Sequence, residues 1–165
     1  MFIAPPFDTK VFETLLALNN DHAEELSYKT REGFLDLMAA ASHVRAEPAG
    51  LALLVAFHEG CSYDSPNFAW LKARFPRFNY IDRVVVSEAA RGRGLARRLY
   101  AELEEVTRHE GRERLVCEIN SVPPNPDSDA FHTALGFAPV GEQHLGDRGK
   151  TVRYWAKDLG GRRCA

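Results

Sequence analysis

Arg91-Gly92-Arg93-Gly94-Leu95-Ala96 is the stretch that decides how this chain is read. Before it runs the apolar segment Tyr80–Val86. After it, from Gly94 to about Glu110, Leu95, Leu99, Leu103 and Val106 recur at helical spacing. A strand that passes through a short glycine-bearing turn into a helix collects backbone N–H groups at one corner, where the helix dipole is positive. Phosphate suits such a corner, and the arginines add charge that pairs with phosphate oxygens. The plainer alternative is a helix N-terminus whose glycines only tighten the turn.

Working outward, Gly111 is placed as a C-cap, Leu115–Asn120 reads as a strand, and Val122-Pro123-Pro124-Asn125-Pro126 is a turn before a short helix, Asp127–Leu135. Gly136–Gly141 and Thr151–Lys157 read as closing strands. Upstream, apolar residues at helical spacing predict one helix from Asp8 or Thr9 to about Asn19 and another over Thr30–Ala41. Val44–Glu47 and Leu51–His58, split by Pro48-Ala49-Gly50, form a hairpin pattern. Glu59–Arg77 reads as a long irregular stretch rich in aromatics (Tyr63, Phe68, Trp70, Phe75), and loops of that length in compact domains are commonly functional. The strand–turn–helix–strand run Tyr80–Asn120 predicts a right-handed crossover between parallel neighbours, and the remainder is hairpin-like. The expected class is α/β of the mixed, α+β kind.

The length of 165 residues suits one domain with a real core. A net charge of −2 argues against a broad basic face for nucleic acid, so the loop arginines are a local cluster fitted to a small anion. Cys61, Cys117 and Cys164 are odd in number and far apart, with no C-x-x-C, which favours neither a disulfide framework nor a metal site. Cys117 reads as a packed thiol. No signal peptide or membrane-length apolar run is read in the sequence, so no membrane partner is expected and the cytoplasm is the expected compartment. The expected organisation is a single domain over residues 1–159 with a flexible tail, 160–165.

The pattern Arg91-x-x-Gly94-x-Ala96 resembles the pyrophosphate loop of the GNAT superfamily, the acetyl-CoA-dependent N-acetyltransferases, written there Gln/Arg-x-x-Gly-x-Gly/Ala. A second segment agrees with it: members carry an asparagine, a tyrosine seven residues on, and then Leu-Gly-Phe. Here Asn125 holds the first position and Leu135-Gly136-Phe137 the last. The words Tyr63–Phe68, Val122–Pro126 and Ser128–His132 further resemble a bacterial subgroup of undefined substrate. The resemblance spans about Leu51–Lys157. It implies a central mixed sheet of six to seven strands flanked by about four helices, with acetyl-CoA as co-substrate and no metal.

The resemblance also implies a map of the site. Gly92, Arg93, Gly94, Leu95, Ala96 and Arg97, with Arg91, would hold the pyrophosphate. Val84, Val85 and Val86 would lie along the pantetheine arm and acetyl group, or serve as plain strand core. Asn125 would touch the cofactor, or only turn the chain. The tyrosine position, which in many relatives protonates the departing thiolate, is His132 here, a departure that leaves a general acid or a packing residue as alternatives. A general base must remove a proton from the acceptor amine. Glu118, on the strand before Asn125, is the first candidate, with a solvated or salt-bridged carboxylate as its alternative, and Asp82 is the second, with pairing to Arg83 or Arg77 as its alternative. The histone-acetylating branch has a glutamate where Tyr80 stands. Apart from the resemblance, the aromatic stretch Tyr63–Phe78 is expected to shape the acceptor pocket, with Tyr63, Asp64 (which could attract a cation) and Tyr80 as acceptor contacts; the alternative is that those aromatics only complete the core.

Three readings follow. The first is acetyl transfer to a primary amine of a small molecule or peptide by direct attack, since no cysteine has a nucleophile's setting; homodimers are common in the superfamily. The second is a non-catalytic acyl-CoA-binding module. The third is a nucleotide binder, disfavoured by the missing Lys-Ser/Thr of a P-loop and the missing dinucleotide glycine spacing.

Overall fold

The computed structural model describes residues 1–160. Helix α1 (Thr9–Asp21) starts where the Asp8 carboxylate accepts from the Val11 N–H at 2.9 Å, and it buries Phe12, Leu15 and Leu18. A single turn, α2 (Ala23–Leu26), precedes α3 (Arg31–Ala40), which Thr30 caps through Gly33 N–H at 3.1 Å. Strands β1 (His43–Ala46) and β2 (Ala52–His58) pair antiparallel, as the hairpin pattern predicts. Gly50 makes the turn at φ +78°, and a Cβ there would sit 2.7 Å from the Thr14 methyl carbon, so only glycine fits against α1.

The aromatic stretch departs from its irregular reading. Ser65 caps a helix, α4 (Pro66–Lys72), with Pro66 in its first turn and Phe68 and Leu71 facing inward. The Ser-Pro start was the available signal; seven positions, with the apolar residues consecutive from Phe68 to Leu71, are too few to show a period. Strand β3 (Phe78–Val86) leads through a 3-10 turn, Glu88–Ala90, into α5 (Leu95–His109). Gly111 ends α5 as expected: at φ +70° its N–H donates to the Arg108 carbonyl and the next N–H, of Arg112, to the Thr107 carbonyl, which is a Schellman cap.

Then come β4 (Arg114–Val122), α6 (Pro126–Ala134), β5 (Ala138–Leu145) and β6 (Lys150–Asp158). The Leu135-Gly136-Phe137 word is a second Schellman cap. Gly136 lies at φ +89°, its N–H bonds the Thr133 carbonyl, and Phe137 N–H bonds the His132 carbonyl. The strands form one mixed sheet in the order β1-β2-β3-β4-β6-β5. The crossover strands β3 and β4 are neighbours in it. Among the described residues the six strands agree with the expected six to seven, and the six α-helices exceed the expected four by α2 and α4.

The chain divides into two compact units. Met1–Tyr63 with Ile81–Leu103 form the first, whose core is the fully buried run Ala52–Phe57 together with Leu15 and Phe34. Asp64–Tyr80 and the chain from Glu104 onward form the second, centred on Leu115, Val116, Tyr154, Phe78 and Leu71. Gly160 N–H reaches the Asp158 carboxylate at 3.3 Å; the rest of the expected tail, Cys164 included, lies outside the described residues.

Candidate functional site

In the first unit the loop opens a cradle of amides. Gly92 and Gly94 sit at φ +75° and +72°, and a Cβ on either would meet nothing within 4 Å. Backbone conformation, together with the open space in front of it, selects glycine there; crowding by the protein does not. The first helical bond of α5 is Arg98 N–H to the Gly94 carbonyl, 3.1 Å. Among the described residues the N–H groups of Gly92, Arg93, Gly94, Leu95, Ala96 and Arg97 donate to no backbone carbonyl. These amides stand at the positive end of a 15-residue helix, with Arg91, Arg93 and Arg97 exposed beside them. The geometry fits a diphosphate bridge: several donors, nearby positive charge, and open space in front of the two glycines.

On β3, Asp82, Val84 and Val86 are partly exposed while Arg83 and Val85 are buried. Val84 and Val86 can therefore meet a ligand with their side chains, and Val85 packs in the core. The Asp82 carboxylate is engaged at both oxygens. Oδ1 accepts from the Tyr63 hydroxyl at 2.7 Å and Oδ2 from Arg83 Nε at 2.9 Å. The pairing alternative for Asp82 is thus realised with Arg83, and Tyr63 and Asp82 are brought together. Tyr63 also stacks on Phe57 at 3.9 Å between ring centroids.

In the second unit Tyr80 is fully buried, and its hydroxyl donates to Glu118 Oε1 at 3.0 Å. Glu118 faces Tyr154 across the β4–β6 pair. The Tyr154 phenol is pushed far up its range, first by burial and then by the Glu118 charge, with Arg74 pulling the other way. The neutral hydroxyl lies 2.9 Å from Asn67 Oδ1 and 2.8 Å from Gln143 Oε1, and its single hydrogen serves one of the two. Trp70 stacks on its ring at 4.0 Å, and Arg74 covers the other indole face at 3.6 Å. Cys117 is pushed well above the ordinary thiol value by burial and then by Glu118, so it stays a neutral thiol and cannot be a nucleophile at neutral pH.

Asn125 caps α6, its side-chain oxygen accepting from Ser128 N–H at 3.3 Å. His132 is 4% exposed and its imidazole meets Phe131 and Phe137 edge-on. Its Nδ1 lies 2.8 Å from the Ser128 carbonyl oxygen. A carbonyl only accepts, so Nδ1 carries the hydrogen and the neutral ring has its lone pair on Nε2. Burial lowers the His132 pKa; the bond to Ser128 and the Asp129 charge oppose this. Asp64 is exposed and makes no hydrogen bond or ion pair among the described residues.

The sequence reading missed Asn19, Asn67, Gln143 and Tyr154. Asn19 had a signal, because it stands four residues after Leu15 on the apolar stripe of α1 and is buried. Gln143 and Tyr154 depend on strand register and Asn67 on the packing of α4, neither of which the sequence displays. Among the described residues no cluster of three or more His, Cys, Asp or Glu could hold a metal, and no helix is long and apolar enough to cross a membrane.

Comparison with known proteins agrees with this geometry. The sequence model of the acetyltransferase (GNAT) family matches residues 17–137. No curated protein matches in sequence. Among solved structures the chain is similar to Ard1 from Thermoplasma volcanium (16% identity, TM-score 0.72, 96% of each chain covered). It is also similar to an aminoglycoside 6'-N-acetyltransferase complexed with coenzyme A (13%, TM-score 0.71, 98% of each). A third is an N-acetyltransferase from Staphylococcus aureus Mu50 (19%, TM-score 0.68, 97% of this chain and 98% of the other). At these identities the likeness is one of fold.

Proposed function

The chain belongs to the acetyltransferase (GNAT) family, and from that premise we propose that it acts as one domain, residues 1–159, carrying an acetyl group from acetyl-CoA to a primary amine of a small molecule or peptide by direct attack. The observation that carries this is the set of six consecutive amides, Gly92–Arg97, without backbone acceptors at the head of α5.

Those amides and the three arginines would hold the diphosphate of the co-substrate, and Val84 and Val86 would line its arm. Acetyl-CoA, when bound, supplies the activated acyl group. Glu118 takes the proton that the acceptor ammonium must lose before it can attack; an alkyl ammonium has a pKa of ~10.4, so this step needs a base. The Tyr80 hydroxyl orients the Glu118 carboxylate through Oε1. Asp82, held at both oxygens, shapes the acceptor side together with Tyr63 and takes no proton.

His132 is assigned a holding role. As a neutral ring protonated at Nδ1 it carries a lone pair and no proton at Nε2, so it would not serve as the acid for a departing thiolate. The Asn125 side-chain nitrogen would be the group that contacts the cofactor arm, while its oxygen keeps the α6 cap.

Calorimetry with acetyl-CoA, ATP and NAD, followed by thiol-release assays across an amine panel, tests the reading. Binding of acetyl-CoA alone with CoA release on one amine class is the expected result. Acetyl-CoA binding without turnover on any amine would make the chain an acyl-CoA-binding module, and ATP or NAD binding would overturn both.

A further inference from the structure

We propose that Asn19 and Arg83 are positioning residues, a buried relay that holds the Tyr63–Asp82 pair and the Ser27–Lys29 turn in one frame and thereby sets the acceptor pocket. The inference rests on the reading above in taking Tyr63 and Asp82 as acceptor-side residues.

The Arg83 side chain is 5% exposed. Its Nε donates to Asp82 and its Nη1 to Asn19 Oδ1 at 2.6 Å. Asp82 in turn receives the Tyr63 hydroxyl. From the far side of the guanidinium, Asn19 Nδ2 donates to the Ser27 carbonyl at 3.2 Å and to Asn20 Oδ1 at 3.0 Å. Asn20 completes the clamp, its Nδ2 on the Lys29 carbonyl and its Oδ1 under the Lys29 N–H, both at 2.9 Å. The 27–29 turn and the Tyr63–Asp82 pair, far apart in sequence, therefore hang on one guanidinium.

Stability is a weak reason for such an arrangement, since a buried ion pair is often matched or bettered by apolar residues of the same volume. The turn adds a second argument. Ser27 sits at φ +70°, the one non-glycine residue at positive φ among the described residues. Held strain of this kind needs surrounding structure to enforce it. The turn returns little packing for it, because the residue it carries, Tyr28, is 67% exposed. A strained backbone, clamped on both sides by asparagines and presenting an aromatic ring outward, is built to hold a surface in place.

The test uses the full chain. Hydrogen exchange is read at the turn (residues 25–30) and at the Tyr63 segment (60–65). Arg83→Met should speed exchange at both, and Arg83→Lys should restore part of the protection. Asn19→Asp keeps an acceptor for Arg83 and loses the donor to Ser27, so it should loosen the turn alone. Kinetics use whichever of n-butylamine, spermidine, a free-N-terminal tetrapeptide or a lysine peptide turns over fastest. Arg83→Met, which frees the Tyr63–Asp82 pair, should raise the acceptor KM about tenfold with the acetyl-CoA Kd within about twofold of the parent, and Asn19→Asp, which leaves that pair held, should change the acceptor KM less. Arg83→Met that loosens only residues 60–65, or that leaves the acceptor KM unchanged, would overturn the proposal. Should Arg83→Met not fold, Arg83→Lys takes its place, with smaller changes expected in both readouts. If acetyl-CoA binds and no amine turns over, the acetyl-transfer reading fails, and the exchange data still decide the relay.

Discussion

His132 Nδ1 lies 2.8 Å from the carbonyl oxygen of Ser128, one helical turn earlier, and that contact fixes which ring nitrogen bears the hydrogen. Burial keeps the folded ring neutral below the ordinary histidine range. In the unfolded chain the same ring protonates near pH ~6.5. Between these two values the unfolded state binds more protons, so stability falls as the pH is lowered through that window. Denaturant unfolding of the parent and of His132→Phe, at steps from pH 7.5 to 5, should show the parent losing more stability, by at most ~1.4 kcal/mol per pH unit. Parallel curves would mean that the ring titrates alike in both states.

Glu118 accepts from Tyr80, and this makes a pair of variants informative. Glu118→Gln should lower kcat by about 10²-fold or more with the acetyl-CoA Kd unchanged, the signature of a lost general base. Tyr80→Phe should cost ~1 kcal/mol of stability and reduce kcat less than the Gln variant does. A Glu118→Gln enzyme with parental kcat in a steady-state thiol-release assay removes Glu118 from the base role.

Gly94 and Gly149 share a left-handed conformation and open space around a would-be Cβ. Gly94→Ala and Gly149→Ala should therefore each cost ~1 kcal/mol in thermal unfolding. Only Gly94→Ala should weaken acetyl-CoA binding, tenfold or more by calorimetry. Equal Kd values for the two variants would take the loop out of cofactor binding.

Gly141 lies under Trp70, and a Cβ there would come within 2.4 Å of the indole. Gly141→Ala must push Trp70 off the Tyr154 ring. A loss of ~1–3 kcal/mol in denaturant unfolding and a shifted tryptophan emission are expected. Parental stability would show that the stack re-forms around the added methyl group.

The sequence by itself marked the six strands, four of the helices and their order, and left out α2 and α4. Apolar spacing marked α1, α3 and α5, glycine and proline marked the caps and the β1–β2 hairpin, and all of these depend on neighbours along the chain. The two family words were legible for the same reason. Gly94 and Gly136 are backbone devices, selected by φ, and φ is a local property. The amide cradle was readable before any coordinates because a helix start makes it without help from distant residues.

Tertiary structure alone decided which polar side chains meet. Nothing in the chain order says that Tyr80 reaches Glu118, that Arg83 spans Asp82 and Asn19, or that Tyr154 lies between Trp70 and two amides. Those partners are fixed by strand register and helix packing, where a shift of one residue turns a side chain to the opposite face. The same is true of His132. Its place in the motif was visible, yet its tautomer and lowered pKa follow from the burial and the carbonyl that the folded helix supplies.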